Sequence, residues 1–319
     1  MSKNLSQQVV LDRRGFVAAT FATVAGLGLA GCSDTSAEAD KGSAAGSSKS
    51  SEDTEASTTL DAKAFDKLVD NGPKADDDAI AVSTWATAVK DAGVFKIGGV
   101  QTSTLFSLLN EKDGQTRGFD AGIAQLLSNY ILGENKVEIT QVTSDTRESV
   151  LQNGQVDAVF ATYTITDERK KSWDFSTPYR TDYVGLMVKK RSGFTSIEDL
   201  DGKVIGVSQG ATTQGLIEQM IKDNGFSCKP EFRAFSGYPI IKSSLDAGNI
   251  DVFAMDRSTL AGYMNETVEL LQPEVKFGEQ GYGVATKKGC DLSAVVDQVI
   301  CDRLADGWLD QEVKTWGLV

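Results

Sequence analysis

Two arginines, one aspartate and a few hydroxyl-rich turns have the residue types and settings for binding chemistry. Thr162-Tyr163-Thr164 is followed shortly by Arg169. Hydroxyls beside a fork-shaped guanidinium suit a carboxylate. Alternatively, Arg169 belongs to a solvated basic cluster with Lys170 and Lys171. Ser208-Gln209-Gly210-Ala211-Thr212-Thr213 lies between a strand-like run and a helical one. That is the arrangement of an anion site at a helix N-terminus, and also of an ordinary turn. No Gly-Lys-Ser/Thr follows, so it is not a phosphate loop. Asp256 can take an ammonium or cap a helix starting at Arg257. Arg147 stands in Ser144-Asp145-Thr146-Arg147-Glu148, where Asp145 and Glu148 fit a capping box. A cation in a first helical turn opposes the helix dipole at about 0.3–1 kcal/mol. Either an anionic ligand group or a salt bridge with Asp145 or Glu148 offsets that. Taken together, the set matches the three needs of a free α-amino acid: a cation for its carboxylate, an anion for its ammonium, and something particular for its side chain.

Other chemistries are excluded by composition. The 319 residues contain no histidine, which removes the commonest general base, the Ser-His-Asp arrangement and most zinc chemistry. No metal-ligand spacing is present, and no metal or other cofactor is expected. Net charge is −13 without a basic patch, so nucleic acid is not an expected partner.

The elements that must position these residues begin after an export signal. Lys3, Arg13 and Arg14 precede an uncharged apolar run over 16–30, too short for a spanning helix of roughly 20 residues. It ends in Leu29-Ala30-Gly31-Cys32, which resembles a bacterial lipobox. That implies cleavage after 31, a diacylglyceryl anchor on Cys32 and an extracytoplasmic, membrane-held protein. An ordinary signal peptide with a coincidental cysteine is the alternative. Arg13-Arg14-Gly15-Phe16 also resembles a twin-arginine signal. Residues 32–59 lack aromatic and, after Cys32, large aliphatic side chains, and read as a disordered tether. Over 60–92, Leu60, Phe65, Leu68 and Val69, then Ile80, Trp85 and Val89, fall at helical spacing on either side of Asn71-Gly72-Pro73. Two short helices are expected there.

From Lys96 on, short apolar runs at 156–160, 204–207 and 252–253 alternate with helical segments, which argues α/β with largely parallel sheets. Leu151-Gln152-Asn153-Gly154-Gln155-Val156-Asp157 is echoed by Leu245-Asp246-Ala247-Gly248-Asn249-Ile250-Asp251. Gly154 and Gly248 can each end a helix in the left-handed conformation. The echo suggests two similar lobes, with Thr162 and Asp256 at matching places. Ligands of open α/β sheets bind beyond the strands' carboxyl ends, so the two positions would face each other across a cleft.

These segments together resemble the polar amino-acid family of ABC-transporter solute-binding proteins over about 94–319. The resemblance rests on Gly118-Phe119-Asp120, the 151–157 run, Ala161 to Lys170, Asp174-Phe175-Ser176-Thr177-Pro178-Tyr179, Leu200-Asp201-Gly202-Lys203, Gln209-Gly210 and Asp256. It implies a type-II periplasmic-binding-protein fold: two α/β lobes, 93–183 with 285–319 and 184–284, joined by crossover strands near 183–188 and 281–285. It further implies that Thr162, Thr164 and Arg169 bind the ligand's α-carboxylate and ammonium side, that Gly210, Ala211, Thr212 and Thr213 complete the carboxylate site, and that Asp256 takes the ammonium. An ABC permease would be the partner. The Ser144-x-x-Arg147 pattern looks like the glutamate- and aspartate-binding branch, and a buried arginine facing a neutral amide would lack a charge partner. Glutamine or another polar amino acid is the alternative ligand.

One loop departs from the family pattern. Gln101-Thr102-Ser103-Thr104-Leu105-Phe106 has neither the acid or aromatic residue nor the proline usual there. Phe106 is then expected as the apolar wall, and Gln101 or Thr102 as the polar contact. Cys228, Cys290 and Cys301 allow at most one disulfide, and a continuous helix would hold Cys290 and Cys301 about 16 Å apart. Two rivals remain: a dehydratase-like enzyme on the same lobes, for which no catalytic acid beyond Asp256 is in view, and an amino-acid-sensing lipoprotein that serves no permease.

Overall fold

The computed structural model describes residues 61–318. The export signal, Cys32 and the tether lie outside the described residues.

Three helices come first: α1 (Ala62–Asp70), α2 (Asp77–Ala81) and α3 (Thr84–Ala92). The spacing of Ile80, Trp85 and Val89 suggested one helix where there are two. Ser83 makes the break. Its backbone is extended, and its hydroxyl accepts from the Ala86 amide to start α3. Asp291, far along the chain, accepts from the Ser83 hydroxyl and the amides of Thr84 and Trp85. Phe65, Val69, Ile80 and Val89 are buried in the core of the lobe that follows.

That lobe runs through β1 (Phe95–Gly99), a hairpin of β2 (Leu108–Leu109) and β3 (Thr116–Arg117), α4 (Phe119–Leu132), β4 (Val137–Gln141), α5 (Arg147–Gln152), β5 (Ala158–Phe160) and β6 (Trp173–Phe175). The chain enters the second lobe along β7 (Arg180–Lys189). It continues through β8 (Val204–Ser208), α6 (Thr213–Asp223), β9 (Glu231–Phe235), α7 (Tyr238–Ala247), β10 (Val252–Asp256), α8 (Arg257–Ala261) and β11 (Val268–Leu270). It returns along β12 (Phe277–Tyr282) to β13 (Ala285–Lys287), α9 (Leu292–Ala305) and α10 (Trp308–Thr315). The first sheet has the order β4-β1-β5-β13-β6; the second has β11-β7-β10-β8-β9, with β12 also on β7.

This is the expected pair of α/β lobes. In each, a parallel core (β4-β1-β5 and β10-β8-β9) ends on one side. The sequence echo falls at equivalent places: α5 leads through Gly154 to β5, and α7 through Gly248 to β10, with both glycines at positive φ. The crossing segments lie side by side. Gln280 pairs with Asp182 and Gly281 with Thr181, and the Tyr179 amide donates to the Tyr282 carbonyl at 2.9 Å. One buried cluster contains Leu151, Val159 and Tyr163 from the first lobe and Tyr238, Phe253 and Met255 from the second. The lobes are closed on each other. Cys228, Cys290 and Cys301 are free thiols.

Candidate functional site

On the first lobe, the chain leaves β5 and turns sharply at Thr162, which has φ +43°. A β-branched residue rarely adopts that conformation, and it persists only where its surroundings hold it. Asp120, in the first turn of α4, does so. Its carboxylate accepts from the Thr162 amide at 2.7 Å and from the Tyr179 hydroxyl at 2.8 Å. Burial pushes the Asp120 pKa up to about 6, against the pull of both hydrogen bonds.

Past Thr162, the Tyr163 ring is in contact with two guanidinium groups. Arg147 stacks 3.9 Å from its centroid and Arg169 4.6 Å. The Tyr163 hydroxyl donates to Glu148 at 2.6 Å. Arg147 is buried and opens α5, but the capping box with Asp145 and Glu148 does not form. Thr146 takes the cap position and exchanges hydrogen bonds with Thr143 instead. Neither acid forms a salt bridge with Arg147, because Glu148 is turned to Tyr163 and lies 3.9 Å from Arg169. Arg147 donates one Nη to the Ala161 carbonyl at 2.9 Å, and its Nε is buried without a hydrogen-bond partner among the described residues. Burial, then the charge of Arg147, lowers the Arg169 pKa to about 10. Burial also lowers that of Arg147. Arg169 is not part of a solvated cluster: its Nη atoms donate to the carbonyls of Thr164 and, across the lobe boundary, Gly210.

The second lobe answers with the loop after β8. Gly210 sits at φ +76°, and a side chain there would lie 2.6 Å from the Ser144 carbonyl oxygen of the first lobe. Only a glycine permits that approach. Asp256 is at the cap position of α8, yet its carboxylate does not cap the helix. It accepts from the Tyr282 hydroxyl at 2.6 Å and from Gln280 Nε2. Tyr282 also reaches Asp182 at 3.1 Å. Burial, then the charge of Asp182, raises the Asp256 pKa to about 7. Gln280 Oε1 accepts from Thr164 Oγ1 of the first lobe at 2.9 Å and from Thr212 Oγ1 of the second. The buried Tyr238 hydroxyl lies beside Ser144, Thr162 and Arg147.

The structure therefore brings together Ser144, Arg147, Thr162, Thr164, Arg169, Gly210, Thr212 and Asp256. It does not bring in the whole of the expected set. Gln101 is turned away from the cluster, its side-chain amide donating to Thr116 at 3.0 Å and its backbone amide to Gln141 at 2.6 Å. Phe106 is fully buried among core aromatics, with its edge toward Phe119 and Tyr282. Thr102 reaches the second lobe only through its carbonyl, which accepts from the Tyr263 hydroxyl. The Ala211 amide is spent on Ser208, and Thr213 points to Met255. A groove of about 680 Å³ lined by Trp173, Asp174, Thr181 and Lys288 contains none of the cluster.

Residues 95–319 match the family model of bacterial extracellular solute-binding proteins, family 3. The chain belongs to that family. A glutamine-binding protein of an ABC transporter from Bacillus subtilis (strain 168) is 35% identical over 234 residues, 72% of this chain and 83% of that protein. The L-cystine-binding protein of Escherichia coli (strain K12) is 30% identical over 72% of this chain and 84% of its own. An ancestral arginine-binding protein solved with arginine bound is 29% identical, with TM-score 0.62 over 70% of this chain and 98% of that one. The family and these relatives are binding proteins rather than enzymes, and the family is one of exported proteins.

In this family 3 protein several residues of the cluster escaped the sequence. Asp120 belongs to the Gly118-Phe119-Asp120 motif, but nothing in the motif says that its carboxylate holds Thr162. Tyr163 sits inside the Thr162–Thr164 run, where alternation alone would send its ring into the core. Tyr238, Gln280 and Tyr282 carry no local signal, since each reaches the cluster only through the packing of one lobe on the other.

Proposed function

We propose that this solute-binding protein captures a free amino acid between its lobes and delivers it to an ABC importer. In this reading Thr164, Thr212 and Arg169 take the α-carboxylate, Asp256 takes the ammonium, and Arg147 faces the side chain. Lipid on Cys32 holds the protein at the outer face of the membrane. The names of the relatives support the ligand class and the importer. They bind different amino acids, so the choice among them rests on Arg147. Its buried Nε has no partner among the described residues. A guanidinium removed from water without its full set of acceptors is costly, and a second carboxylate on the ligand would supply them. Glutamate or aspartate is therefore the favoured ligand. Glutamine is the second reading, favoured by the 35% identical relative.

Calorimetric titration of the protein with L-glutamate, L-aspartate, L-glutamine, L-arginine and L-cystine tests this. We expect glutamate or aspartate to bind tightest. Arg147→Ala should erode that preference over glutamine by about tenfold or more. Tight binding of a neutral or basic amino acid alone would remove Arg147 from the side-chain role.

A further inference from the structure

We propose that Gln280 is an internal competitor for the amino acid: its carboxamide holds the groups that the ligand's carboxylate and ammonium need, and must swing aside for binding. This rests on the amino-acid reading above. Three groups assigned there to the ligand converge on this one side chain. Thr164 Oγ1, from the first lobe, donates to Gln280 Oε1 at 2.9 Å. Thr212 Oγ1, from the second lobe, donates to the same oxygen. Gln280 Nε2 donates to Asp256. A carboxamide presents one acceptor and one donor side by side. An α-amino acid presents its carboxylate and ammonium in the same order of polarity. The amide stands with its nitrogen toward Asp256 and its oxygen toward the two hydroxyls, the orientation that suits the ionised form of Asp256.

The strand is built to aim this residue inward. β12 pairs with β7 in regular register from Gln280 to Tyr282, but the register shifts between Phe277 and Gln280. An irregularity of this kind re-aims the side chain beside it. Gln280 is consequently only 2% exposed, on one of the two segments that join the lobes. From that position it ties Thr164 of one lobe to Thr212 and Asp256 of the other. It therefore stabilises closure through the same groups that close on a ligand. A ligand must replace three hydrogen bonds already made, so its apparent affinity is reduced by that competition.

The test is Gln280→Ala in the full chain, titrated with L-glutamate and L-glutamine beside the wild-type protein and Asp256→Ala. We expect Gln280→Ala to bind about tenfold tighter than wild type, the size of effect that two or three released hydrogen bonds supply. Without amino acid, small-angle scattering should give a larger radius of gyration for Gln280→Ala than for wild type, and saturating amino acid should bring the two together. Gln280→Asn, with its amide one methylene short, should fall between them and guards against a misfolded Ala variant. Weaker or unchanged binding by folded Gln280→Ala, with Asp256→Ala still impaired, overturns the competitor role and leaves the amino-acid site standing. Binding by neither wild type nor Gln280→Ala overturns both. Binding by Gln280→Ala alone supports the proposal most directly.

Discussion

A carboxylate as buried as Asp256 favours its neutral form, and its pKa of about 7 reflects that, with the charge of Asp182 adding to the burial. Hydrogen bonds from Tyr282 and Gln280 and the charge of Arg147 pull the other way without prevailing. The folded value lies above the ordinary carboxylate value. The stability it contributes is complete at low pH and is lost as pH rises through about 7. A bound ammonium reverses the preference, because it pairs only with the ionised form. The dissociation constant for the amino acid should therefore fall as pH rises from 6 to 8, by at most about tenfold per unit below the pKa. Calorimetry in buffers of different ionisation enthalpy should show proton release in the same window. Asp256→Asn should bind weakly with a flat profile; a flat wild-type profile would take Asp256 out of the site. Asp120, titrating near 6, is the control, since it acts on the site only by holding Thr162. Residues of this kind were unequally legible. Thr164 follows the end of β5 and Asp256 ends β10, places where charge and hydroxyl signal a site, and Arg169 lies in the same run as Thr164. Gln280 is a neutral amide in a glycine-rich strand, and its inward aim depends on a register shift that no local pattern announces.

At the level of elements, the loop between β8 and α6 brings the backbones of the two lobes close together. Gly210→Ala would place a methyl group 2.6 Å from the Ser144 carbonyl and 2.9 Å from the Asp145 Cα, in a left-handed conformation that alanine disfavours. Both atoms are backbone, so neither can move aside cheaply. We expect amino-acid affinity to fall by about tenfold or more, because closure brings these two segments together, while the melting temperature shifts only by a few degrees. Unchanged affinity would mean that closure does not bring Gly210 against Ser144. The loop, its glycine and the helix after it were all legible, as were the paired α5–β5 and α7–β10 units, because their residues are neighbours in sequence. Each failure traces to a competing partner. Ser83 splits a periodic stretch because Asp291 bonds to it, and Thr146 displaces Asp145 as the cap of α5. Gln101 and Phe106 face Thr116 and the aromatic core rather than the cleft. In the first, third and fourth cases the deciding partner is a residue that folding delivers from elsewhere; for α5 it is Thr143, a rival hydroxyl within the same turn.

For the whole molecule, the family match begins at β1, yet the buried core begins earlier. Helices α1 to α3 close off the first lobe rather than hang from it. Phe65 is 1% exposed, and its ring meets Trp316 edge-on with centroids 5.0 Å apart. It also packs over Gly122 of α4, so that a side chain at Gly122 would lie 2.9 Å from the ring. One residue of the extension thus ties α1 to α4 and to the chain's final turn after α10. Removing a buried phenylalanine costs about 3–5 kcal/mol through lost burial and the cavity left behind. In a chain of this size that corresponds to a fall of about 10 °C in melting temperature for Phe65→Ala. The dissociation constant for the amino acid should stay within about twofold of wild type, because Phe65 touches none of the cluster residues. Differential scanning calorimetry with and without amino acid separates the two effects. A melting temperature within about 2 °C of wild type would mean that the extension is not part of the first lobe's core. A lost affinity with an intact melting temperature would instead tie α1 to closure of the lobes.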